Sequence, residues 1–212
     1  ADAGEVIVAQ DQLIETVNQV KGETKLREII VTSFADVIPA KPTIPVPDSL
    51  RAPRVAIPGA TDLLPALAAM GDVAPLPPAG LDDVAALNYT GGTTGMPKGC
   101  VHTQRDMVYT AAANYGTGLT SSEKSVFLSF FPEFWIAGEN LGLIFPLFSG
   151  ATLVLLARWD AVGVFEAIEK HKVSIMAMPV DGAVEMMDHP RFKEFDLSSL
   201  SQVRVVSFVK KL

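Results

Sequence analysis

From Asp83 onward, short apolar runs alternate with helical periods, and that alternation limits the fold more than any other feature of the sequence. The runs are Val84 to Tyr89, Ser125 to Phe131, Thr152 to Ala157, Ser174 to Met178 and Val203 to Ser207. Between them, Arg105 to Leu119, Ile136 to Phe148, Ala161 to His171 and Val180 to Met187 carry apolar residues at helical spacing. A strand that is apolar at most positions must be covered on both faces. Its alternation with helices predicts an α/β fold, a mostly parallel sheet with covering helices.

The rest of the chain divides around that block. Residues 1–33 read as a βαβ segment: a β-branched run from Glu5 to Ala9, helical spacing from Asp11 to Val20, and a second run from Glu28 to Thr32. Residues 34–83 hold ten of the fifteen prolines, and proline's fixed φ and missing N–H predict a meandering connection with one short helix around Asp62 to Met70. Such a length predicts that the connection wraps over another surface. Residues 84–212 form the main α/β subdomain. With 49% hydrophobic and 19% charged residues, the chain has enough apolar surface for a packed core.

A formal net charge of −7 argues against a general nucleic-acid binder, which needs many Lys and Arg contacts to phosphate. Any phosphate site must be local. The single cysteine, Cys100, excludes an internal disulfide framework and a cysteine zinc cluster, which fits a cytoplasmic setting. The opening residues lack the basic and apolar regions of a signal peptide. Ile136 to Phe148 is interrupted by Glu139, Asn140 and Pro146 and falls short of the roughly 20 apolar residues of a membrane span. It is expected to be a buried helix. Peripheral membrane contact remains open, and no transmembrane segment is expected.

The segment from Leu87 to Gly99 holds four glycines, three threonines and one lysine after an apolar strand. Gly91, Gly92 and Gly95 allow backbone N–H groups to close on an anion where a Cβ would obstruct them. Thr90, Thr93 and Thr94 add hydroxyl donors, and Lys98 adds a mobile charge behind Pro97. The P-loop NTPase pattern fails, because Lys98 precedes Gly99 and not Ser or Thr. A glycine-rich hairpin with a solvated lysine is the alternative.

Leu87 to Lys98 resembles, position for position, the AMP-binding signature of the adenylate-forming superfamily, which includes acyl-CoA synthetases, luciferases and the adenylation domains of peptide synthetases. That family often has serine at the place of Gly91 and histidine at the place of Gln104. The stretch Phe131 to Gly138 is similar to the family's next motif, with Phe134 matching its phenylalanine and Trp135 replacing its histidine. Pro146 to Val154 and Ala177 to Val180 are also similar to family segments. The resemblance implies part of the large domain of an acyl-CoA-synthetase-like fold. It further implies ATP-dependent activation of a carboxylic acid to an acyl-adenylate, with pyrophosphate released and coenzyme A as acceptor.

On that resemblance, Thr90, Gly91, Gly92, Thr93, Thr94, Gly95 and Lys98 hold the ATP phosphates, Lys98 serving catalysis, with Mg2+ sharing the charge. Phe134 and Trp135 fall on the acyl or thiol side, and Met178 and Pro179 become candidates for the pocket lining; each equally suits ordinary core packing. Trp135, Ile136, Met176 and Met178 point to a fatty or other apolar acid. The expected partners are that acid, ATP, CoA and the remainder of a longer parent chain; no nucleic acid and no protein metal ligands are expected. The family's later elements for adenine, ribose and magnesium have no counterpart here, and Val203 to Leu212 departs from the family pattern, which places a glycine-rich turn after Ser207. The 212 residues alone are therefore expected to be inactive. The alternatives are a non-catalytic phosphate-binding or interaction remnant, and an adenylation domain serving a carrier protein.

Other polar residues read as structural. Cys100 and His102 are expected in core packing, His171 and His189 on the surface, and Asp82 and Asp83 in solvent. Glu139 and Asn140 are expected on an exposed helix face.

Overall fold

The computed structural model describes residues 4–44, 46–91, 95–116 and 121–206. The chain forms two compact units, Ala1–Pro77 and Pro78–Leu212.

In the first unit, β1 (Val6–Gln10), α1 (Ile14–Lys21) and β2 (Glu28–Thr32) make a parallel βαβ turn, with Val6 opposite Glu28 and Gln10 opposite Thr32. Ile14 and Val17 on α1 pack against Ile29 and Val31 on β2. The short α2 (Phe34–Val37) starts on a reciprocal cap, in which the Ser33 hydroxyl accepts from Ala35 N–H and the Asp36 carboxylate accepts from Ser33 N–H. The proline-rich connection then adds a strand absent from the sequence reading, β3 (Thr61–Asp62), parallel to β2. α3 (Leu63–Ala69) follows, near the expected helix. Asp11, 2% exposed, accepts from Gln12 N–H at 2.9 Å and Val55 N–H at 2.8 Å. Its buried carboxylate is thereby satisfied, and it pins the connection over this unit's own sheet. Arg54 does the same from the other side, bridging Asp36 at 2.6 Å and Asp62.

The second unit opens with a ribbon. β4 (Val84–Thr90) pairs antiparallel with β5 (Lys98–Thr103), which runs directly into α4 (Gln104–Gly116). The link is another reciprocal cap: Thr103 N–H and Oγ1 donate to Asp106 Oδ2 at 2.8 Å, and Asp106 N–H donates to Thr103 Oγ1 at 3.2 Å. These bonds hold the Asp106 carboxyl below its ordinary pKa.

The expected helix from Ile136 to Phe148 follows β6 (Val126–Ser129) in three pieces: α5 (Ile136–Gly138), a π-turn (Glu139–Ile144) and α6 (Phe145–Ser149). Pro146 has no N–H to give to the Gly142 carbonyl, and the turn before it takes the wider π form. The helix is also buried on one face only. Phe145 and Gly142 are buried, whereas Leu143, Leu147 and Phe148 are exposed, because apolar residues circle this segment and only one side meets the sheet. Gly150, at φ 69°, ends α6 in the left-handed conformation.

After β7 (Thr152–Leu155) come α7 (Ala161–His171), β8 (Ile175–Pro179), α8 (Val180–Asp188) and β9 (Gln202–Val206). The sheet order is β7-β6-β8-β9, all parallel. Phe127 on β6 meets Phe145 edge to face at 5.0 Å, with Ile175 completing that cluster. On α7, capped by the Asp160 carboxylate on Gly163 N–H, Phe165 is fully buried among the rings of His189, Phe192 and Phe195. His189 is therefore a packing residue and half-buried, not a surface one. Apart from β4 and β5 the strand pairs are parallel. No helix among the described residues is long and apolar enough to cross a membrane.

Candidate functional site

The glycine-rich segment sits at the turn of the β4/β5 ribbon. Thr90 and Lys98 are register partners at its mouth, and Thr90 Oγ1 donates to the Lys98 carbonyl at 3.4 Å. Gly91, Gly95 and Lys98 are exposed. A Cβ added at Gly91 or Gly95 would meet nothing within 4 Å among the described residues. The space beside these two glycines is open to the close approach of an anion. Gly99 differs: its Cβ would come within 3.2 Å of the Tyr89 ring, which lies across it in the ribbon. Gly92, Thr93 and Thr94 lie outside the described residues, as do Ser207 to Leu212.

One face of the ribbon is bare. Leu87, Tyr89 and Val101 are exposed on it, and Cys100, opposite Asn88 on the other face, is exposed too, so the expectation that Cys100 packs in a core is overturned. An apolar strand reading presumes cover on both faces, and this ribbon lacks it among the described residues; His102 is half-buried. Asp82 and Asp83 are exposed, Asp82 pairing with Arg105 at 3.0 Å.

The second predicted stretch lies at the N-terminal end of the π-bearing helix. Phe134 is 89% exposed, and Trp135, 39% exposed, stands edge to face with buried Phe131 at 5.7 Å. Neither ring simply fills core. Met178 does: it is 2% exposed near the end of β8. Pro179 follows it, half-buried, as the residue that starts α8.

What joins the ribbon to the aromatic stretch is a contact that sequence reasoning missed. Asn88 on β4 donates from Nδ2 to Glu139 Oε2 at 2.9 Å, across 51 positions of chain. Glu139 and Asn140, both in the π-turn, are half-buried, which corrects the expectation of an exposed face. The only signal in the sequence was an asparagine inside an apolar strand, facing a glutamate and an asparagine inside an apolar helix. Close packing accompanies this link. A Cβ on Gly138 would lie 2.0 Å from the Pro132 carbonyl oxygen. Burial first, and then the charge of Glu139, push the Glu133 carboxyl above its ordinary pKa. Among the described residues no three His, Cys, Asp or Glu side chains converge as a metal site.

The chain spans about a quarter of the length of the curated relatives it matches. It is 36% identical over 125 residues to 4-coumarate-CoA ligase 1 of Narcissus pseudonarcissus, covering 58% of this chain and 23% of that protein. Over 142 residues it is 34% identical to a 3-[(3aS,4S,7aS)-7a-methyl-1,5-dioxo-octahydro-1H-inden-4-yl]propanoyl:CoA ligase of Mycobacterium tuberculosis, covering 67% and 26% respectively. Among solved structures, the anthranilate CoA ligase AuaEII shares the fold at TM-score 0.74 and 23% identity, over 96% of this chain and 36% of that one. The N-terminal domain of FACL13 from Mycobacterium tuberculosis matches at TM-score 0.63 and 26% identity, over 94% and 50%. The profile of the family described as AMP-binding enzyme matches residues 2–210, and the chain belongs to that family.

Proposed function

We propose that the protein carrying this chain activates a carboxylic acid with ATP and passes the acyl group to coenzyme A. The observation that carries the reading is the open end of the ribbon, where Gly91, Gly95 and Lys98 are exposed and a Cβ at either glycine would meet nothing within 4 Å among the described residues. A carboxylate oxygen of the acid attacks the α-phosphorus, the bond to the bridging oxygen breaks, and pyrophosphate leaves with the electron pair. Thr90, Gly91, Gly92, Thr93, Thr94, Gly95 and Lys98 would gather on the β- and γ-phosphates, where negative charge builds. Mg2+ would arrive with those phosphates and share that charge, since it binds chiefly through phosphate oxygens and water. The CoA thiolate then attacks the acyl carbonyl, and AMP departs.

Phe134 and Trp135 would stand on the acyl or thiol side. The relatives named above are CoA ligases, which favours CoA over a carrier protein as acceptor. Their names, together with feruloyl-CoA synthase and indoleacetate–CoA ligase, favour an acid with an aromatic or other apolar body over a fatty one in particular. Buried Met178 and half-buried Pro179 support the apolar wall only from behind. A cytoplasmic location belongs to the same proposal and rests on the lone cysteine. In the same scheme residues 1–33, 34–83 and 84–212 serve as first-subdomain segment, connection and nucleotide-binding subdomain.

The test is acid-dependent exchange of labelled pyrophosphate into ATP by the protein carrying this chain, followed by CoA thioester formation, across cinnamic, benzoic and fatty acids. Exchange with an apolar acid is expected. Absence of exchange across the panel, with ATP still bound, would favour a non-catalytic phosphate-binding module.

A further inference from the structure

Around the π-turn several buried oxygen atoms have no hydrogen-bond partner among the described residues. Ser129, at the end of β6, is 2% exposed, yet its hydroxyl has no hydrogen-bond partner. The amide oxygens of Asn88 and Asn140 are also buried and unbonded. A Cβ on Gly142 would lie 2.4 Å from Glu133 Oε1 and 2.8 Å from Ser129 Oγ, so these two oxygens converge on the same side of that glycine. Glu139 lies close enough to act on Glu133 electrostatically. Among the described residues neither carboxylate forms an ion pair.

The unbonded atoms are acceptors, with Ser129 able to act either way. The two carboxylates beside them repel each other, and that repulsion adds to desolvation, the larger cause, in raising the Glu133 pKa. What such a cluster lacks is positive charge with several N–H donors. A metal ion fits less well, because no three His, Cys, Asp or Glu groups converge among the described residues. Glu133 is exposed at its own surface, so the cluster opens to solvent, and it lies two residues before Trp135 in the chain. Indole faces attract organic cations.

We propose that Ser129, Glu133 and Glu139 receive a cationic nitrogen on the acid substrate, a refinement that rests on the acid-activating function proposed above. The acid would thus combine an apolar body with one ammonium group, which Glu133 and Glu139 neutralise and Ser129 Oγ helps to ligate. Neutral acids would leave both carboxylates uncompensated.

Binding can be read without turnover. Titration calorimetry on the protein carrying this chain would use para-(aminomethyl)benzoate and its uncharged counterpart, para-(hydroxymethyl)benzoate. The amine is expected to bind about tenfold tighter or better, through charge-assisted hydrogen bonds. Glu133→Gln, a change at an exposed residue with little risk to folding, and Glu139→Gln, which keeps an acceptor for Asn88, should each erode that preference and bring the two probes' Kd values together. Equal Kd values for the two probes, binding of neither, or a preference that survives both substitutions would overturn the proposal. Loss of pyrophosphate exchange with every acid, by contrast, would sink the ligase reading and leave the calorimetric preference to stand or fall on its own.

Discussion

The four-stranded sheet and the β4/β5 ribbon belong to the same unit, and β4 is an apolar run like the sheet strands, yet the two use their strands in opposite ways. β8 is buried at four of its five positions, and β5 is exposed at four of its six. In the sheet each apolar side chain has a helix or a neighbouring strand to meet, so substitutions there act on stability. In the ribbon the side chains meet little of the chain itself, so substitutions act on whatever comes to the turn. Apolar character alone does not tell which regime a strand is in; covering layers do.

That contrast is open to attack at its strong end first. Phe165→Ala removes a ring packed among His189, Phe192 and Phe195 and should cost about 3–5 kcal/mol in urea unfolding. Val101→Ala in the ribbon should cost less than about 0.5 kcal/mol, and comparable losses would erase the distinction. Lys98→Ala is the converse case: an unchanged unfolding midpoint, with pyrophosphate exchange by the protein carrying this chain slowed on the order of 10²-fold. The link between the two regions should give an intermediate effect. Gly138→Ala places a Cβ 2.0 Å from a backbone oxygen that cannot swing away, so a loss of about 1–3 kcal/mol is expected in the same assay.

The smallest expected effect is electrostatic. Asp106 caps the entry from β5 into α4, and its folded-state pKa lies below the unfolded value because Thr103 donates to it twice. Such a group stabilises the fold above the unfolded pKa of about 3.9, and the benefit is lost as pH falls through the folded value. Asp106→Asn should therefore lower Tm slightly at neutral pH and leave it unchanged in strong acid. A difference that persists in acid would assign the residue's role to shape and not to charge.

The elements that were legible in the sequence are those whose own side chains carry the signal. α7, with Asp160 before it and apolar residues at helical spacing, and β8, with an unbroken apolar run, fall where periodicity puts them. β3 was invisible because two residues paired by backbone alone leave no pattern. The π-turn was hidden in a helix of the expected span, since its register depends on how Pro146 is accommodated. At the site, the composition of the turn pointed to phosphate, but the Asn88–Glu139 bond joins residues far apart in sequence, and only the fold brings them together. Cys100 was misread for the same reason that the ribbon matters: its strand looks like a core strand and is not one.

If the ribbon turn, and not the sheet, meets ATP, nucleotide must register at the turn's own amides. The most direct measurement is an amide chemical-shift titration of the isotope-labelled chain with Mg-ATP. Saturable shifts are expected, centred on Gly91, Gly95, Lys98 and Gly99 and weakened by Lys98→Ala, with Ile175 to Met178 in β8 unmoved. Shifts centred elsewhere, or an unmoved turn at saturating nucleotide, would contradict it.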